Sequence, residues 1–211
     1  MKYQAVIFDL DGVICSTDHS HYLAWKEIAE EIGVHFDETA NNRLRGIGRM
    51  ESLEILLGSR SGEFSEEAKK ELAERKNTLY RDLLKNMSAQ DLSPDVKKTM
   101  DLIKARGIKI AIGSSSKNAQ LILKQIGLEN YFDAISDGTN IIRSKPDPEV
   151  FLKASDYLGI EPQFCLVVED SKAGVKAAAA AHMDCAAIGA AARDGLATYD
   201  LNHFSDLLLY V

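Results

Sequence analysis

Ala5-Val6-Ile7-Phe8-Asp9-Leu10-Asp11-Gly12-Val13 is an apolar run that stops at two carboxylates and a glycine. Its apolar half, rich in β-branched and aromatic side chains, suits a buried strand of a parallel sheet, and in open α/β sheets ligands collect beyond the carboxyl ends of such strands. Asp9 and Asp11, two apart in extended backbone, leave the chain on the same side and can address one small group. Gly12 permits a sharp turn. The pair suits ligation of a hard cation, nucleophilic attack or general acid–base work. Taken alone it equally suits a solvated Asp-Gly turn.

Outward from this strand the chain divides by its periodicity. From Asp18 to Ile32 it looks helical, with Tyr22, Trp25, Ala29 and Ile32 at spacings of three and four and Gly33 to end it. The next stretch carries helical patterns and no strand: Met50, Leu53, Leu56 and Leu57 mark one helix, and Ala68, Leu72, Leu79 and Leu83 a longer one. A joint containing Ser, Asp and Pro, from Ser88 to Pro94, closes this all-helical insert. Beyond Asp95 helix and strand alternate. Helices are expected from Val96 to Ala105, Asn118 to Ile126, Glu149 to Leu158 and Ala173 to Ala181, with strands from Ile108 to Ile112, at Ala134-Ile135, from Cys165 to Val168 and around Ala186 to Ile188. The final residues, Asp200 to Val211, receive no role.

A chain of 211 residues fits one large α/β domain or a core carrying a smaller insertion. Its hydrophobic fraction of 45% and charged fraction of 27% are those of a soluble globular protein, and no apolar run is long enough to span a bilayer. Met1-Lys2-Tyr3-Gln4 lacks the pattern of a signal peptide, so a cytoplasmic location is expected. A net charge of -7 disfavours nucleic acid and anionic membrane as partners, so an anionic substrate must meet local cations. Cys15, Cys165 and Cys185 are odd in number and lack metal-site spacing, which reads as buried reduced thiols.

Three later strand ends complement Asp9 and Asp11. Ile110 to Ile112 opens through Gly113 into Ser114-Ser115-Ser116-Lys117-Asn118 before a helix, where hydroxyls and helical N–H groups converge on an anion. A plain serine-rich helix start is the alternative, and the spacing is not that of a Walker loop. Ser144-Lys145-Pro146 sets a lysine on a rigid turn, suited to a phosphoryl oxygen. Val167-Val168-Glu169-Asp170-Ser171 again ends a strand in paired carboxylates, which with Asp9 and the Asp11 carbonyl suit the oxygen-rich shell of Mg²⁺.

These strand ends resemble, in order, the four motifs of the haloacid dehalogenase superfamily of phosphoryl-transfer enzymes: Asp9-Leu10-Asp11-Gly12, Ser114, Lys145 and Glu169-Asp170. The helical insert resembles its cap, and the resemblance covers nearly the whole chain. Within the superfamily the sequence is similar to the β-phosphoglucomutase branch, through Asp9 to Ile14, His21-x-x-Ala24-Trp25, Leu44-Arg45-Gly46-x-x-Arg49, Arg75-Lys76-Asn77, Ser116-Lys117-Asn118 and Ser144-Lys145-Pro146. The expected architecture is an α/β fold: a Rossmann-like parallel-sheet core, residues 1-15 and 93-211, with an inserted all-helical cap domain, residues 16-92.

The resemblance implies that Asp9 is the nucleophile and forms an aspartyl phosphate, and that Asp11 is the general acid/base. Mg²⁺ would be held by Asp9, the Asp11 carbonyl and Asp170, with Glu169 as ligand or directly behind. Ser114, Ser115 and Lys145 would hold the transferring phosphoryl group. Thr17, His21, Trp25, Arg45, Gly46, Ile47, Arg49, Ser52, Lys76, Ser116, Lys117 and Asn118 would meet the sugar phosphate. Thr17 and His21 lie four apart, where the resemblance places control of Asp11 and of cap closure, and Arg45 and Arg49 suit a distal phosphate because a guanidinium fork takes two oxygens. Two residues depart from the branch: Ser16 stands where an aspartate is general, and Arg45 where a lysine is common.

The implied reaction interconverts β-glucose 1-phosphate and glucose 6-phosphate through β-glucose 1,6-bisphosphate, carried out by a Mg²⁺-dependent monomer. A sugar-phosphate phosphatase on the same scaffold and a catalytically silent phosphosugar sensor are the alternatives. Intact Asp9, Asp11, Lys145 and Asp170 argue against the sensor, because binding alone does not require a nucleophile and an acid/base together.

Overall fold

The computed structural model describes residues 2–211. Six parallel strands, β1 (Ala5–Phe8), β2 (Lys109–Gly113), β3 (Ala134–Ser136), β4 (Cys165–Glu169), β5 (Asp184–Ala187) and β6 (Tyr199–Asp200), lie in the order β3-β2-β1-β4-β5-β6. Between β1 and β2 the chain inserts helices α1 (Asp18–Glu31), α2 (Glu38–Asn42), α3 (Arg49–Leu57) and α4 (Glu66–Leu84). The remaining helices, α5 (Pro94–Ala105), α6 (Ala119–Gln125), α7 (Glu149–Leu158) and α8 (Lys172–Ala180), follow among the strands. This is the α/β core with a helical insert that the sequence leads one to expect.

The apolar run of β1 is continuous because both faces of the sheet are covered. Val6 and Phe8 join Ile110, Ile112, Leu166 and Val168 in one core, while Ala5 and Ile7 join Ala111, Val167, and Phe151 and Ala154 of α7 in the other. The alternation is the period of two of an extended chain. A third core belongs to the insert, built from Trp25, Ile28, Phe36, Leu44, Leu53, Leu57 and Leu72. Ala24 of α1 and Tyr80 and Leu84 of α4 pack into the first sheet core instead, so these two helices seat the insert on the sheet. Among the described residues no helix is long and apolar enough to cross a membrane.

Three features lie outside the sequence reading. α2 is a five-residue helix whose N-cap, Asp37, accepts from the Ala40 amide at 2.8 Å. β6 pairs only two residues with β5. The tail left without a role ends in a 3-10 turn, Phe204–Leu209, that buries Phe204 and Leu207, and Phe204 stacks on Phe8 with ring centroids 5.8 Å apart. The C-terminal segment therefore closes the core directly behind the strand that carries Asp9. Phe204→Ala should lower the unfolding free energy by about 3–5 kcal/mol, read from the urea midpoint at constant m-value; a loss below about 1 kcal/mol would show that the tail is dispensable to the core.

Candidate active site

β1 and β4 are neighbours where the strand order reverses, the place where open α/β sheets form a crevice beyond their carboxyl ends. The Asp9 amide donates to the Val168 carbonyl at 2.9 Å, which sets Asp9 beside Glu169 and Asp170. Lys145 enters from its proline turn with its ammonium fully buried, 2.6 Å from Asp9 Oδ1 and 2.5 Å from Glu169 Oε1. Burial works against that charge, but Asp9 and Glu169 outweigh it and hold the ammonium above its ordinary range. The other oxygen of Glu169 accepts from the amide and hydroxyl of Ser171, at 2.8 and 2.9 Å. Both oxygens of Glu169 are thus engaged, one by Lys145 and one by Ser171.

Asp9, Glu169 and Asp170 each offer a carboxylate oxygen, all within 4.8 Å of one another. Burial, and then the neighbouring carboxylates, push Asp9 and Asp170 above the usual carboxylate range. One ammonium does not neutralise three buried carboxylates, and a hard divalent cation with oxygen ligands fits that deficit. Gly12 makes room for the cluster: at φ +86°, a Cβ there would stand 2.1 Å from Asp170 Oδ2.

Asp11 is held by Thr17, whose hydroxyl donates to Asp11 Oδ1 and accepts from the Tyr80 hydroxyl at 3.1 Å. Burial under the cap raises the Asp11 carboxyl to about 6, against the Thr17 hydrogen bond, which lowers it. A carboxyl near that value can both give and take a proton around neutral pH. Further into the cap, Lys76 Nζ and His21 Nδ1 are hydrogen-bonded at 2.8 Å, with the ammonium 4.4 Å from the Tyr80 ring centre and 5.0 Å from that of Trp25. Burial, then Arg49, lowers Lys76 to about 7, and burial, then Lys76 and Arg49, lowers His21 well below its ordinary range. Trp25 is a core residue of the insert that also forms part of the cavity wall.

The cap loop lies against the core. Ser115 Oγ donates to the Gly46 carbonyl at 3.0 Å, and Asn118 accepts from Arg81 at 3.2 Å and donates to Asn77 at 2.9 Å. A Cβ on Gly46 would meet Ser171 Oγ at 2.4 Å, and one on Gly48 would meet Ser144 Oγ at 2.2 Å. Arg49 bonds Glu74 at 2.8 Å, and Arg45 pairs with Asp18. Of the two departures from the branch, Arg45 thus has a carboxylate partner in Asp18, and Ser16 is exposed.

Asp9, Asp11, His21, Trp25, Arg45, Gly46, Ile47, Arg49, Ser52, Lys76, Ser114, Ser115, Ser116, Lys117, Asn118 and Asp170 line one cavity of about 480 Å³. Thr17, Lys145 and Glu169 stand behind its wall and act on Asp11 and Asp9 through the bonds described above. The hydroxyls of the serine loop bond within the loop and to the cap: Ser114 Oγ accepts from the Ser116 amide, Ser116 Oγ from the Asn118 amide, and the Ser115 hydroxyl donates to the Gly46 carbonyl. The Ser114 amide is taken by the Ser136 carbonyl, and α6 begins only at Ala119. The sequence assigned no role to Asp18, Glu74, Asn77 and Tyr80 of the wall, or to Ser171 behind it. The serine was legible as a helix start, since it caps α8 by accepting from the Gly174 amide at 3.0 Å.

The chain matches the haloacid dehalogenase-like hydrolase family over residues 3–182. It is 42% identical over 188 residues to β-phosphoglucomutase of Bacillus subtilis, covering 88% of this chain and 83% of that protein. It is 33% identical over 184 residues to the phosphorylated carbohydrates phosphatase of Thermotoga maritima, covering 86% and 82%. Among solved structures, β-phosphoglucomutase from Clostridium difficile superimposes with a TM-score of 0.92 at 37% identity, covering 97% of this chain and 93% of that one.

Two outcomes follow from the geometry. Gly12→Ala should weaken Mg²⁺ binding by about tenfold or more, a loss of at least ~1.4 kcal/mol, because its Cβ takes the space of the Asp170 carboxylate; calorimetric titration showing wild-type affinity would count against the cluster as the cation site. Lys76 titrates near 7 when folded and near 10.5 when unfolded. Between those values the unfolded chain binds more protons, so its contribution makes stability rise with pH there, and its penalty is complete below 7. Lys76→Met should therefore be more stable than wild type, by a few kcal/mol at pH 6 as an order of magnitude, with the difference vanishing towards pH 10.5. Parallel stability curves across that window would refute it.

Proposed function

The chain belongs to the haloacid dehalogenase-like hydrolase family, and from that premise we propose that it is a β-phosphoglucomutase. It would interconvert β-glucose 1-phosphate and glucose 6-phosphate as a cytoplasmic monomer with a small sugar phosphate, and neither nucleic acid nor membrane, as its partner. The observation that carries the reading is a single cavity that joins Asp9 and Asp11 on the core to Arg45, Arg49 and Lys76 on the cap. A phosphatase needs a nucleophile and water at one phosphate. Exchange between two positions of a sugar also requires a cationic place for the phosphate that is not reacting.

In the forward direction the phosphorylated Asp9 gives its phosphoryl group to the 6-hydroxyl of β-glucose 1-phosphate, and Asp11 takes the hydroxyl proton. The bisphosphate turns round with its other phosphate towards Asp9. The Asp9 carboxylate attacks that phosphorus, the bond to O1 breaks, and Asp11 returns the proton to O1. Lys145 neutralises the attacking carboxylate, and Thr17 fixes the orientation of Asp11. When bound by Asp9, Asp170 and the Asp11 carbonyl, Mg²⁺ supplies positive charge against the phosphoryl oxygens.

The test supplies β-glucose 1-phosphate, Mg²⁺ and a trace of bisphosphate, and follows glucose 6-phosphate and free phosphate together. Glucose 6-phosphate should dominate; free phosphate as the main product means a phosphatase, and neither product means a sensor. Arg49→Ala should lower glucose 6-phosphate formation by roughly a hundredfold, because remote binding energy closes the cap and aligns the hydroxyl. Hydrolysis of a small acyl phosphate, which lacks a distal phosphate, should stay nearly unchanged. Equal losses in the two reactions would assign Arg49 to the fold.

A further inference from the structure

One guanidinium in the cap loop lies between two carboxylates. Arg45 Nη2 is hydrogen-bonded to Asp18, at the start of α1, and Nη1 stands 4.0 Å from Asp170 Oδ2, the outer limit of an ion pair. The Arg45 Nε is buried and finds no hydrogen-bond partner among the described residues. Asp18 and Arg45 both keep about a third of their side chains exposed (33% each), whereas Asp170 keeps 10%. All three line the cavity, and Asp170 belongs to the carboxylate cluster on the core. A guanidinium takes carboxylates with two parallel bonds, and the attraction is stronger where less water screens it. Of the two partners the drier Asp170 is thus the stronger competitor for Arg45. A cation would need the same Asp170 oxygens.

We propose that Asp18 is a positioning residue for the metal site: by holding Arg45 it keeps the guanidinium off Asp170, so that the carboxylate is left to a divalent cation while the cap is closed. The inference rests on the reading of this centre as a Mg²⁺-dependent phosphotransfer site. It makes Arg45 an internal rival of the cation that the cap carries towards the core each time it closes, and Asp18 the charge that restrains it.

Calorimetric titration of the purified chain with Mg²⁺ tests it without reference to turnover. Asp18→Asn should weaken Mg²⁺ binding by about tenfold, Arg45→Ala should bind at least as tightly as wild type, and Asp18→Asn combined with Arg45→Ala should recover wild-type affinity. Asp18→Glu, which keeps the charge, should stay close to wild type. In turnover, Asp18→Asn should raise the Mg²⁺ concentration for half-saturation. An unchanged affinity in Asp18→Asn overturns the proposal, as does a double variant as weak as Asp18→Asn, which would mean that Asp18 attracts the cation directly. Weaker binding in Arg45→Ala overturns it too, and that variant needs no change at Asp18. Asp170→Asn separates the premise from the inference: if it binds Mg²⁺ like wild type, the metal site is misassigned and the role of Asp18 falls with it, whereas binding lost in Asp170→Asn but unchanged in Asp18→Asn overturns the role of Asp18 alone.

Discussion

The buried ammonium of Lys145 is the charge on which the rest of the site depends. It lies between Asp9 and Glu169 with no solvent contact and packs 4.7 Å from the centre of the Phe151 ring. Isolating such a charge would be prohibitive, and each carboxylate beside it would be as costly alone. Their positions are therefore fixed as a group. Ser171 locks Glu169 from behind, and Gly174 gives the space, since a Cβ there would stand 1.8 Å from Glu169 Oε1. β4, the start of α8 and the turn at Pro146 are thereby tied to the end of β1. The same packing that aims Asp9 also gathers oxygens of Asp9, Glu169 and Asp170 into a cluster that suits a divalent cation.

The cap completes the site through backbone as much as through side chains. Gly46 and Gly48 bring the loop against Ser171 and Ser144 at distances no Cβ would tolerate, and the Ser115 hydroxyl holds the Gly46 carbonyl. Arg49 and Arg45 follow from that approach, because they leave the loop on either side of the contact. The glycines serve close approach, with Gly46 alone of the two at positive φ, +77°.

Much of this was legible in the sequence, for a physical reason. β1 is buried on both faces, so its residues read as a continuous apolar run and the break at Asp9 stood out against it. Asp9, Lys145, Glu169 and Asp170 are charges at the ends of apolar segments, a contrast that survives without coordinates. What was hidden depends on partners. The serine loop offered hydroxyls in either reading, and nothing local reveals that Ser115 faces Gly46, 69 positions away. Tyr80 carried no signal of its own in the sequence, and its hydroxyl has a role only through Thr17, 63 positions distant. α2 and β6 are too short to carry a period, and the tail gained meaning only when Phe204 met Phe8.

The cavity is built at a cost to the folded state. Lys76 is driven down by burial and by Arg49, His21 is kept neutral beneath it, and Asp9 and Asp170 are pushed up by burial and by the Glu169 carboxylate. These penalties fall on opposite sides of the cavity, cations on the cap and carboxylates on the core. On the proposed function, a phosphorylated ligand would relieve the first group and a divalent cation the second, so each would make the closed arrangement less costly for the other, and the coupling between them would be reciprocal. On the same reading, a filled and closed cavity would let a sugar hydroxyl held beside Asp11 compete with water on better terms than in an open one.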